Sequence, residues 1–130
     1  MYSLGNAISN QRRDRMRLKT GHTEDGALFC FTFARYSDGT VLLEDVDLLP
    51  IWADRFDSQT TGNRVYQIIP LDVLVMDWKK EFDLADAREA EARNSYARTL
   101  AITGEGLEQI RRYLQSDENF YAEIRKAATV

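Results

Sequence analysis

The run VLLEDVDLL brings Glu44, Asp45 and Asp47 close together, and the chemistry such a group invites is divalent-cation binding. In an extended chain neighbouring side chains point to opposite faces, so only Asp45 and Asp47 can share one. Two carboxylates without a histidine or a glycine-centred calcium loop make a poor ion site. The run therefore reads as the polar outer face of a strand. His22 is the only histidine and cannot supply a histidine-rich metal shell. Cys30 is the only cysteine, which rules out an internal disulfide and a cysteine-based zinc site. It lies in an apolar run and reads as a small packed hydrophobe. The segment RRDRMRLK sets Arg12, Arg13, Arg15, Arg17 and Lys19 against Asp14 alone. A solvated ribbon is the plainer reading. A polyanion patch is the alternative, but no aromatic platforms are interleaved to hold bases. There is no phosphate-cradling glycine loop, no Gly-x-Ser-x-Gly and no Cys–His pair, and Ser3 in YSLGN is not flanked as a nucleophile elbow would be.

The composition sets outer bounds on what could position these residues. A chain of 130 residues suits one domain with a modest core. With 44% hydrophobic and 29% charged residues it is globular in character rather than disordered. A formal charge of -4 is mild and argues against a general nucleic-acid binder. No stretch approaches the roughly 20 apolar residues that span a bilayer.

Strand signals come first along the chain and helix signals follow. ALFCFTFARY alternates Phe29, Phe31 and Phe33 with Leu28, Cys30, Thr32 and Ala34, and both faces are largely apolar. SDGT supplies an Asp-Gly turn in which Gly39 takes positive φ at little cost. VLLEDVDLL returns as the second strand. Pro50, which has no N–H to donate, marks a strand end or an edge. DSQTTGN is a loop with a Gly-Asn turn, and RVYQIIP is a third strand stopped by Pro70. LDVLVMDW suggests a short helix. The Ala-, Glu- and Arg-rich stretch near 83–101 predicts a helix, with stripes along Leu84, Ala87, Arg88, Glu91 and Ser95 and along Ala85, Ala92, Tyr96 and Leu100. TGEGLEQIRRYLQ predicts a separate helix capped by Thr103, with Leu107, Ile110 and Leu114 buried, and SDENFYAEIRKAA a last one capped by Ser116. The segregated order of strands and helices predicts an α+β fold. Its core is expected at Phe29, Phe31, Phe33, Trp52, Tyr66, Ile68, Leu84, Tyr96 and Leu107.

Three segments taken together carry a resemblance. MYSLGNAISNQ resembles the YSLGNF-[IV]-S-N-Q segment of bacterial CapA-type capsule-synthesis proteins, also called poly-gamma-glutamate synthesis proteins. TEDGALFCFTFARYSDGTVLLEDVDLLPIWADR is similar to that family's hairpin and its P-[TI]-W-V-x-R step, and VYQIIPLD to its Y-x-I-[IL]-P-L strand. The likeness is dense over about the first 72 residues and only general in kind beyond them. The family is similar to the calcineurin-like metallophosphoesterases, which are four-layer α/β sandwiches. Its metal ligands lie in Asp-, Asn-His- and His-x-His-type motifs that precede YSLGN.

By that resemblance this chain is the C-terminal part of a larger protein of capsule or poly-gamma-glutamate biosynthesis. Ser3, Gly5 and Asn6 would sit near the parent's active site, with Ala7 where the family has phenylalanine. The parent would use a divalent metal, the chain alone would hold none and be inactive, and its place would be the cell envelope, membrane-associated. The rest of the parent and a capsule polymer or its precursor are the implied partners. A free-standing interaction module with an open sheet edge is the alternative. If the chain is such a fragment, its sheet has lost flanking strands and three C-terminal helices cover only one apolar face of the hairpin, so a homo-oligomer with two-fold symmetry is expected; the competing view is that residues 1–26 fold back and seal the sheet.

Overall fold

The computed structural model describes residues 17, 19–74, 77–116 and 122–128. A 3-10 turn, His22–Glu24, leads into three strands: β1 (Asp25–Arg35), β2 (Val41–Asp57) and β3 (Arg64–Pro70). Three helices follow: α1 (Trp78–Glu81), α2 (Asp86–Gln115) and α3 (Ala122–Ala128). The strands form one sheet in the order β1-β2-β3, so the fold is α+β with strands before helices. Contacts group the chain into two compact units. One holds the described residues up to Leu28 together with Leu49–Ile102, and the other holds Phe29–Leu48 and the described residues from Thr103 onward.

In the first unit β2 and β3 pair antiparallel, with Trp52 opposite Ile69, Ala53 opposite Ile68 and Arg55 opposite Tyr66. The period of two separates the faces. Trp52 and Ile69 are fully buried, whereas Tyr66 is 55% exposed and Ile68 is exposed beside it. The core is Trp52, Ile69, Leu71, Trp78, Leu84 and Ala92, with Phe82 and Tyr96 packed against it. Tyr66 and Ile68 thus fall on the open face, against the sequence expectation that they are core. Asp77 caps α1 by accepting from the Lys80 N–H, and the Trp78 indole N–H donates to the Asp72 carbonyl at 3.2 Å. The short helix therefore starts at Trp78, the last residue of the stretch expected to form it. α2 buries Ala92, Ser95 and Thr99 at three- and four-residue steps, a line running between the two anticipated stripes.

Pro50 does not break the second strand, which runs unbroken from Val41 to Asp57. The reason lies in the register. Ile51 is opposite Pro70, so Pro50 is opposite Leu71, one step past the end of β3. The Pro50 carbonyl accepts the Leu71 N–H at 2.8 Å. A strand residue aims its N–H and C=O at the same neighbour. The missing donor therefore faces a place where no β3 strand residue needs it, and the proline is tolerated at a local edge of a central strand.

In the second unit a tight turn closes the hairpin. Gly39 has φ +90°, the Tyr36 carbonyl accepts the Gly39 N–H at 3.0 Å, and the Asp38 carboxylate accepts from the N–H and hydroxyl of Thr40. Leu42, Val46, Leu48, Leu114 and Ala122 are buried. Phe31 and Phe33, expected in the core, are 47% and 62% exposed, Phe29 is half-buried, and Cys30 is exposed rather than packed. Leu107 is half-buried and Ile110 exposed.

Two helix boundaries differ from the sequence reading. The helix expected to start near 83 begins at Asp86, because Asp83 sits at φ +48°, outside the helical region. The anticipated break at Thr103 is absent, and α2 continues through Gly104 and Gly106 to Gln115. Each glycine disfavours helix by only about 1 kcal/mol relative to alanine, and burial of Leu114 outweighs that within its unit. Ser116 serves the end of α2, its hydroxyl donating to the Tyr113 carbonyl at 2.8 Å, and the following residues 117–121 lie outside the described ones.

Candidate functional site

The most distinctive surface is the second-unit part of β1. Extended geometry puts Phe29, Phe31 and Phe33 on one side of the strand, and their rings form a ladder. Neighbouring centroids are 6.4 Å apart between Phe29 and Phe31 and 6.5 Å apart between Phe31 and Phe33. Cys30 and Thr32, on the opposite side, are exposed as well. A strand so apolar and so open on both faces is rare in a monomer surface. Among the described residues β1 has β2 as its only strand neighbour, so its other edge presents N–H and C=O groups available to a further strand.

Among the described residues of the first unit, two ion pairs have largely buried carboxylates. Asp54 is 1% exposed on its side chain and is held by the Arg88 Nη2 and by Nε at 3.3 Å, while the Gln67 amide donates to it at 2.9 Å. The Arg88 guanidinium also lies 3.8 Å over the Phe56 ring, a cation–π contact. Arg98 grips Asp25 with two hydrogen bonds of 2.7 Å, and that pairing raises the guanidinium's pKa above its ordinary value. Gly21 leaves room beside it, since a Cβ there would lie 2.7 Å from the Arg98 Nη2 and the guanidinium would have to shift. A cleft of about 550 Å³ opens beside Arg88, lined in part by Phe56, Phe82, Asp83 and Ser58. A second, of about 450 Å³, lies by Trp78, Lys79, Glu89 and Arg93. In the latter Lys79 bridges Asp86 at 2.6 Å and Glu89 at 3.4 Å, and Glu89 also pairs with Arg93. These pairs hold the Asp86 and Glu89 carboxyls below their usual range.

The residues singled out from sequence fall in separate places. Asp45 and Asp47 do share a partner, but it is Arg111 of α2, with Nε 3.1 Å from Asp45 and Nη2 3.1 Å from Asp47. The same Nε donates to the Val46 carbonyl at 2.9 Å. Glu44 accepts the Tyr36 hydroxyl at 2.7 Å. His22 is exposed, with Nδ1 2.8 Å from the Thr20 hydroxyl. Among the described residues no three of His, Cys, Asp and Glu gather as a metal site would need. Arg17 and Lys19 are exposed. Arg12, Arg13 and Arg15 of the basic segment, and Ser3, Gly5 and Asn6 of the YSLGN segment, lie outside the described residues. The Asp54–Arg88 pair went unread because partners so far apart in sequence leave no local signal.

Among the described residues no helix is long and apolar enough to cross a membrane. No family model matches the chain, and no curated protein or solved structure matches it.

Proposed function

We propose that this chain is the C-terminal part of a CapA-like protein of capsule or poly-gamma-glutamate biosynthesis, and that its contribution there is an interaction face rather than a reaction centre. The family part rests on the resemblance of the YSLGN segment, the hairpin with its PIWADR step and the VYQIIPLD strand, in that order. The interaction part rests on one observation, the open aromatic ladder of Phe29, Phe31 and Phe33 on a strand with a free edge among the described residues. Such a surface gains free energy when another chain covers it, and a solvated end state gives no reason for it. In the parent, a divalent metal would be held by the motifs that precede YSLGN in the family, and Ser3, Gly5 and Asn6 would lie near it. A cell-envelope location belongs to the same proposal.

The test is genetic. Deleting the gene in the source organism should abolish surface capsule or poly-gamma-glutamate, and the unaltered gene should restore it. A Phe31→Asp, Phe33→Asp variant should be produced and folded yet fail to restore it. Normal polymer after deletion contradicts the family reading. Full restoration by the double variant contradicts the interaction reading.

A further inference from the structure

The partner of the β1 edge can be named from the strand itself, and the inference rests on reading β1 as an interaction face. Natural sheets guard an open edge with lysine, proline, an inward charge or a bulge. From Phe29 to Ala34 the sequence is FCFTFA, with no charge and no proline. The ladder is also self-complementary. When two copies of a strand pair antiparallel about a two-fold axis, residues on one copy meet residues on the other whose numbers have a constant sum. With the axis at Phe31, Phe31 meets Phe31 of the second copy, and Phe29 meets Phe33 twice. All six rings then face rings, and aromatic cross-strand pairs are among the favourable ones. An axis at Cys30 leaves Phe33 opposite Ala27, and an axis at Thr32 leaves Phe29 opposite Arg35. On the other side of the strand, an axis at Phe31 sets Cys30 against Thr32, both exposed here.

We infer that β1 pairs with β1 of a second copy of this chain, antiparallel and with Phe31 on the two-fold axis, closing in one continuous sheet the edges that are free among the described residues. This explains why rings that alternate like a buried strand are exposed in the single chain. It also gives Cys30 a defined neighbour, Thr32 of the second copy.

Disulfide trapping reads the register. Directly opposed residues in an antiparallel pair bring their Cβ atoms about 4.5–5.5 Å apart, close enough for a disulfide after small adjustment, whereas diagonal ones lie about 7–8 Å apart. The Thr32→Cys variant of this 130-residue chain, treated with oxidised glutathione as the electron acceptor, should become a covalent dimer through Cys30 and the new cysteine. Wild type and a Cys30→Ser, Thr32→Cys variant should remain largely uncrosslinked under the same treatment. Circular dichroism of each variant checks that the exposed substitutions leave the fold intact. Failure of folded Thr32→Cys to cross-link overturns the inference. So does equal cross-linking of wild type or of the Cys30→Ser, Thr32→Cys protein, since that places the axis at Cys30 or Thr32. Either result leaves the family proposal standing, because the polymer phenotype decides that separately.

Discussion

At the scale of single residues, burial separates groups that composition treats alike. Trp52 is 1% exposed and Phe31 is 47% exposed, though both are aromatic residues in strands. Trp52→Ala should cost about 3–5 kcal/mol in denaturant unfolding. Phe31→Ala, measured on dilute monomer, should cost less than about 1 kcal/mol, because much of that ring is already in water. Arg88→Met should be severe, about 3–5 kcal/mol, since it strands the Asp54 carboxylate in the core with only the Gln67 amide beside it. Adding Asp54→Leu to Arg88→Met should recover most of that loss; a double variant as unstable as the single one would show the pair is not the cause. Ser95 makes the opposite case. Its hydroxyl is fully buried without a hydrogen-bond partner among the described residues, so Ser95→Ala should raise stability by up to about 1 kcal/mol. A clear fall in the unfolding midpoint would contradict that placement.

At the scale of elements, α2 is the feature most open to adjustment. A Cβ at Gly104 or Gly106 meets nothing within 4 Å. Alanine at either should stabilise by up to about 1 kcal/mol and raise helical ellipticity slightly. The start of the same helix carries a pH dependence. The Lys79 hydrogen bond holds the Asp86 carboxyl down, and Glu89 is held down first by Arg93 and then by Lys79. A carboxyl depressed in the folded state contributes stability that is fully present above its unfolded value. That contribution is lost as the pH falls through the folded value. Melting temperature should therefore hold steady down to about pH 4.5 and decline as the pH drops below about 4. Lys79→Ala should flatten part of that decline, and so should high salt, since both carboxylates are accessible. An unchanged slope in Lys79→Ala would remove Lys79 from the explanation.

The elements also show what could be read in advance. The three strands, their order and the helices after Pro70 were legible because alternation, turn chemistry and helix composition are local signals. Gly39 and Gly62 adopt positive φ where Asp-Gly and Gly-Asn announced turns. Pro50 was misread because its tolerance depends on where a different strand ends. Thr103 and Gly104 looked like a helix start because capping residues carry the same signature when tertiary burial overrides them. The Phe ladder is expected in the core because alternation marks an apolar face and does not show whether anything covers it. Asp45 and Asp47 were rightly placed on one face, and their partner, Arg111, belongs to a helix whose position the sequence does not give.

At the scale of the whole molecule, the central question is whether β1 stays uncovered in solution. The chain has a mass of 15.0 kDa. An edge left free among the described residues and exposed rings should make its association depend on concentration, and salt should weaken it little because the central Phe29–Phe33 stretch carries no charge. Sedimentation equilibrium on wild type and on Phe31→Asp, Phe33→Asp measures this directly. The wild-type mass should rise toward twice 15.0 kDa at high micromolar concentration, while the folded double variant should stay at 15.0 kDa. A wild-type mass that remains at 15.0 kDa throughout that range would contradict it.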